Sequence, residues 1–201
     1  MDVTIACVVE GHAEVEAAPV LLRRVAIALY PTVRLITPQP IRLPKSKAAR
    51  PGELERAVRF ATLRAGAVGA VLVLLDADTD CPAELAPRLL ARARASSGGK
   101  PVSVVVAKCE FEAWFLAAAE SLRGVRGLDR DIDPPPDPEA LRGAKEWLSG
   151  RMTGAASYKP TRHQAALAAT FDIDAAARRA PSFDKFRRET GRLLAELGAA
   201  G

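Results

Sequence analysis

The chain is poor in aromatic residues, poor in cysteine and without a long apolar run. Aromatics make up 5% of its 201 residues, so its core must be built mainly from Ala, Val, Leu and Ile. There are three cysteines, Cys7, Cys81 and Cys109. An odd number without disulfide-like spacing excludes a disulfide-stapled scaffold and suits a reducing cytoplasm, the expected location. With His12 and His163 they match no zinc spacing. No apolar stretch approaches the roughly 20 residues of a membrane span. The opening MDVTIACVVEG lacks a basic leader and a cleavage site, and reads as a first strand rather than a signal peptide. No glycine-rich loop ends in Lys-Ser or Lys-Thr, which excludes ATP hydrolysis at a Walker A site, and DADTD lacks the continuation of an EF-hand.

What is present is a hydrophobic fraction of 49%, too high for a disordered chain and enough for one sizeable core with a small appendage. The net charge of +5 is unevenly placed. Eleven of 29 basic and six of 24 acidic residues lie from Arg142 onward, so the whole excess is carried there. That suits an anionic partner; a solvated helical face accounts for it as well.

Apolar runs at Val3–Val9, Val33–Thr37, Ala70–Leu75 and Val102–Ala107 alternate with segments of helical spacing. The first helix is expected from about Val15 or later to Leu29, with Pro19 in its first turn. The second opens at Pro51–Gly52, the third at Pro82, and the fourth is EFEAWFLAAAESL. Strand–helix alternation of this kind predicts an α/β fold with about four parallel strands flanked by helices. After Leu122 the regularity breaks into a proline-rich loop and four short helices. The division is therefore an α/β core over 1–122 and an all-helical C-terminal extension over 123–201, packed on the sheet edge.

In an open parallel sheet the strand C-termini form the ligand edge. Glu10 ends the first strand, Asp76, Asp78 and Asp80 follow the third, and Glu110 and Glu112 follow the fourth. With the order 2-1-3-4 the first and third tips are neighbours, about 5 Å apart. Carboxylates so crowded raise one another's pKa, and a divalent cation removes that cost; hard oxygen donors favour magnesium or manganese. Helix capping is an equally good account of Asp80 and Glu14. Of Glu110 and Glu112, only one is expected to face the site, and Glu110 is nearer the strand tip.

The segments VVEGHAE and LLDADTD resemble the Toprim fold of topoisomerases, primases and overcoming-lysogenization-defect nucleases. The resemblance implies Glu10 as general acid or base and as a metal ligand, Asp76 and Asp78 as further ligands, and Asp80 and Glu14 as auxiliary. VEGHAE, LLDADTD, EFEAWFLAA, YKPTRHQAALA and SFDKF resemble, over nearly the whole chain, the bacterial domain-of-unknown-function family numbered 4276. That family is similar to Toprim proteins and often sits beside a gene for an ABC-type or AAA-type ATPase.

The expected activity is therefore that of a magnesium- or manganese-dependent nuclease in phage defence or genome maintenance, with nucleic acid and an ATPase as partners and a homodimer left open. The second reading is a non-catalytic regulatory subunit of the ATPase. Lys159, which follows the acidic core as a lysine does in the related nucleases, is the candidate for stabilising developing charge. Lys45, Lys47 and Arg50, in the loop leaving the second strand, are candidates for phosphate contact. Lys108, Arg162 and His163 join them, although a histidine in an amphipathic helix has an ordinary structural role too.

Overall fold

Asp2–Val9 forms strand β1: it is β-branched and apolar, and its residues from Ile5 to Val9 are buried on both faces, as a central parallel strand requires. In the structure, a computed structural model that describes residues 1–199, β1 is followed by helix α1 (Glu14–Leu29), strands β2 (Arg34–Ile36) and β3 (Ile41–Arg42), and helices α2 (Lys45–Ala48) and α3 (Glu53–Arg64). Strand β4 (Ala70–Asp76), helix α4 (Pro82–Ser96), strand β5 (Val102–Ala107) and helix α5 (Ala113–Ala117) complete the alternating part. Two 3₁₀ turns lead to helices α6 (Ala144–Ser149), α7 (Pro160–Ala168), α8 (Ile173–Arg179) and α9 (Pro181–Glu196).

The sheet runs β2-β1-β4-β5, all parallel, with β3 pairing the C-terminal end of β1 on the same side as β2. This is the α/β fold and the strand order expected from the sequence. Side-chain alternation sends Ala6, Val8, Val73, Leu75 and Val104 to one face under α3 and α4. It sends Ile5, Cys7, Val9, Leu72 and Val105 to the other, under α1, α5 and the C-terminal helices.

The C-terminal extension completes this second face, in one hydrophobic cluster shared with α1 and the sheet, and its last helix, α9, also bonds the edge strand β5 through Arg192 and Ser182. The scarce aromatics hold the extension there: Trp114 and Phe115 meet Phe171, Phe183 and Phe186 through ring centroids 5.2–5.4 Å apart, and Phe111 packs on Trp114 and Phe115 at 4.8 and 5.6 Å. Pro19 is inside α1 rather than in its first turn; burial of Ala17, Ala18, Leu21 and Leu22 against the core outweighs the lost backbone bond. The basic loop after the second strand contains β3 and α2, too short to show a periodicity. The helix after β5 is a single α turn followed by 3₁₀ structure.

Candidate metal and phosphate site

The register that pairs Val9 with Leu74 and Asp76 with Ala107 puts three strand ends side by side. Glu10 leaves β1 there, half-buried, and a carboxylate oxygen accepts the Asp76 N–H at 3.0 Å. The Asp76 side chain, almost fully buried, accepts the Phe111 N–H at 2.9 Å through Oδ1. Gly11 makes the turn after β1 and donates its N–H to Glu14 Oε2 at 2.6 Å, drawing the first α1 side chain back over the strand ends.

Both other turns at this edge use the left-handed backbone region without glycine, at Asp78 (φ 51°) and Cys109 (φ 60°), and Asp78 N–H bonds Cys109 O at 2.9 Å. Such residues cost of order 1–3 kcal/mol each and persist where surrounding structure holds them. Here they re-aim the chain after β4 and β5.

The turn at Cys109 delivers Glu112, not Glu110, into the cleft. Glu112 has a side chain with no solvent exposure. Its Oε1 accepts from Tyr158 Oη and from Gln164 Nε2, both at 3.1 Å. Its Oε2 has no hydrogen-bond partner, and Lys145 Nζ lies 3.3 Å from it. The same ammonium bonds Glu110 at 3.0 Å. Gln164 Oε1, also buried, has no partner. The result is a cleft of about 320 Å³ lined by Glu10, Glu14, Asp76, Asp78, Glu112, Lys145, Thr161 and Gln164, with the exposed His12 at its rim.

Five carboxylates line this space with one lysine, four of them buried or half-buried and the fifth, Asp78, exposed. Burial, then the charges of Glu14, Glu112 and Glu10, hold the Asp76 carboxyl well above the usual range. Burial also raises Glu10, Glu14 and Glu112. Lys145 is pushed up, because its carboxylate neighbours outweigh its own desolvation, and the Tyr158 phenol is pushed far up by burial and Glu112.

The other candidates divide. Asp78 lines the cleft but is exposed and paired with Lys45 at 3.1 Å; Asp80 pairs with the same lysine at 2.8 Å. Lys45 also bonds the Ala77 carbonyl, so it ties the DADTD turn to α2. Asp80 does not cap α4: Cys81 holds that position with no side-chain bond. Lys47 and Arg50 are exposed and do not line the cleft. Lys159 is exposed and outside the cleft lining; Lys145 takes the place in the cleft that the sequence reading gave to Lys159. Arg162 is exposed on the first turn of α7, which begins at Pro160 with Lys159, not Thr161, as its N-cap. His163 is buried, and its Nδ1 accepts the Lys159 N–H at 2.9 Å, so it fastens the helix start rather than facing a phosphate. Lys108 lies outside this cleft, in a groove beside β5. Tyr158 and Gln164 stand within YKPTRHQAALA, where no spacing marked them; Lys145 had no signal at all. Among the described residues, no three His, Cys, Asp or Glu side chains form a ready metal cage.

The profile of the family described as Domain of unknown function (DUF4276) matches residues 9–189. The chain belongs to that family. The match spans every DUF4276 residue of the cleft, from Glu10 through Lys145 to Gln164. No curated protein and no solved structure matches the chain. No helix among the described residues is long and apolar enough to cross a membrane.

Proposed function

We propose that the cleft binds a hard divalent cation, magnesium or manganese, and hydrolyses phosphodiester bonds of a nucleic acid. The observation that carries this reading is the gathering of Asp76, Glu10, Glu14 and Glu112 from separate segments around a single ammonium, with the buried Gln164 Oε1 left without a partner and Glu112 Oε2 met only by that ammonium. The donor set fits such an ion: all are hard oxygens, and the four carboxylates outnumber the cation beside them. A closed cage of three is not required, since magnesium keeps several waters and is commonly held through one or two carboxylates and the substrate phosphate.

Asp76 and Glu10, with Asp78 at the rim, would hold the ion. When bound it would polarise the phosphoryl oxygen and lower the pKa of a water. Glu10, half-buried and with its affinity for protons raised, would take a proton from an attacking water and return it to the leaving oxygen. Lys145, part-exposed in the cleft lining, would supply positive charge where charge develops on the phosphoryl group. The exposed Lys159 and Arg162 at the start of α7 would meet neighbouring phosphates.

A second reading, a non-catalytic subunit regulating an ATPase, is favoured by the pairing of Lys45 with Asp78 and Asp80 and of Lys145 with Glu110 and Glu112, which partly neutralises the acids without an ion.

Calorimetric titration of manganese into the wild type and Asp76→Asn, alongside cleavage assays on plasmid DNA and RNA, separates these. Binding and cleavage in the wild type, both lost in Asp76→Asn, support the nuclease. Binding without cleavage supports the regulatory subunit, and a wild type that binds no manganese removes the metal-centred proposal.

A further inference from the structure

The acidic cleft has two ends, and they differ in how their charge is met. At one end Glu10, Asp76 and Asp78 leave β1 and β4, and the ammonium beside them, Lys45, bonds Asp78 and Asp80. At the other end the turn after β5 brings up Glu110 and Glu112. Lys145 Nζ bridges these two, 3.0 Å from Glu110 Oε2 and 3.3 Å from Glu112 Oε2. Gln164 closes this end. Its amide nitrogen donates to Glu112 Oε1 at 3.1 Å, while its own Oε1, in a residue 1% exposed, meets no partner among the described residues. Glu14 and Asp76 are close enough to Glu10, Glu112 and Lys145 to feel all three charges. The helix that carries Lys145 holds it in this place: α6 starts at Gly143, which takes the left-handed region at φ 80°, and Ala144 and Leu148, one turn apart, are buried. The lysine side chain itself is 40% exposed, so its position among the oxygens is open to an ion from solvent.

We propose that Lys145 is a cation built into the chain where a second divalent ion would otherwise sit, so that the cleft holds one metal ion and not two. This stoichiometry rests on the divalent-cation reading above. Two carboxylates converging on one ammonium, beside a buried amide oxygen, make up the kind of hard-oxygen set that magnesium or manganese takes, with waters completing the rest. Gln164 Oε1 is the specific pointer. A salt bridge alone needs Glu110, Glu112 and a lysine; it does not need a further acceptor buried beside them without a donor. Positive charge fixed at this end neutralises the two acids and repels a second divalent ion. Lys145 would thereby do, from within the chain, the electrostatic work that a second ion does on the phosphoryl oxygens in two-metal sites. Its removal should open the place, because in Lys145→Met the oxygens of Glu110, Glu112 and Gln164 remain without the ammonium.

The test counts manganese ions per chain at saturation, by equilibrium dialysis and metal analysis of the full chain. The wild type and Lys145→Arg should hold one ion and Lys145→Met two. The double variant Lys145→Met/Glu112→Gln, which removes a ligand charge together with the ammonium, should return to one. Thermal unfolding gives a second readout that does not depend on the count. Manganese should raise the Tm of Lys145→Met by more than it raises that of the wild type, because two ions then bind the folded chain in place of one. Two ions in the wild type, a single ion in Lys145→Met, or a Lys145→Met chain whose lost stability manganese does not return would overturn the proposal and leave the divalent-cation reading standing. A wild type that holds no manganese removes both.

Discussion

Asp76 is the residue on which the site turns, and its charge works against the fold. It is nearly buried, faces three other carboxylates, and keeps its place through the Phe111 N–H bonded to Oδ1. Asp76→Asn preserves that acceptor and removes the charge. In the absence of divalent cations it should raise stability by about 1–2 kcal/mol, since a buried charge is exchanged for a neutral hydrogen-bonding group; urea denaturation in chelator measures it. The opposite sign is expected at Lys145. Its removal in Lys145→Met leaves the fully buried Glu112 without a cation, which should cost about 3 kcal/mol in the same assay, while Lys145→Arg should keep most of the stability. A Lys145→Met protein as stable as the wild type would mean that Glu112 is already neutral in the fold.

At the scale of elements, the cleft depends on how α5, α7, α8 and α9 are docked. Trp114 sits fully buried at the centre of the aromatic cluster and donates its Nε1–H to Ser182 at the start of α9. Trp114→Ala should cost about 3–5 kcal/mol, by cavity formation and loss of that bond. Helix α8 offers a milder contrast. Asp172 caps it by accepting the Asp174 and Ala175 N–H groups at 2.8 and 2.9 Å. Asp172→Ala should cost about 1 kcal/mol and leave manganese affinity unchanged. Both are read from denaturant midpoints at constant slope. If Trp114→Ala changed only cation affinity and not stability, the C-terminal helices would be an independent unit rather than part of one core.

For the molecule as a whole, the cluster sets a pH dependence of unusual direction. Glu10, Glu14, Asp76 and Glu112 all hold protons more tightly folded than unfolded. Above the ordinary carboxylate range, the unfolded chain has released those protons while the folded chain retains some. Stability therefore falls as pH rises, until the folded groups ionise too. Carboxylates held low, such as Glu189 at about 2, contribute the opposite slope only below their ordinary values and are saturated before this window opens. In chelator, Tm should drop by roughly 4–8 °C between about pH 5 and 8, the equivalent of about 2 kcal/mol in a chain of this size. Manganese should restore it at the upper end in the wild type and not in Asp76→Asn. A Tm that rises over that range would show the acids are not mutually destabilising.

The strand tips were legible because two short-range signals coincide there: a β-branched apolar run, and an acid directly after it. That was enough to locate Val3–Val9 and Val102–Ala107, the parallel order, and Glu10 and Asp76 at one edge. It did not reveal β3 or α2, which are too short for a period, nor which of Glu110 and Glu112 turns inward, since that depends on one left-handed residue, Cys109. Lys145 was invisible. It lies 69 residues after Asp76 on a six-residue helix with no motif, and reaches the acids only because the aromatic cluster folds the C-terminal helices over the sheet. Local pattern thus determined which segments become strands and where their charges emerge. Long-range packing alone decided which cation meets them, because the position of an ammonium in space is set by the contacts of distant helices and leaves no trace in neighbouring sequence.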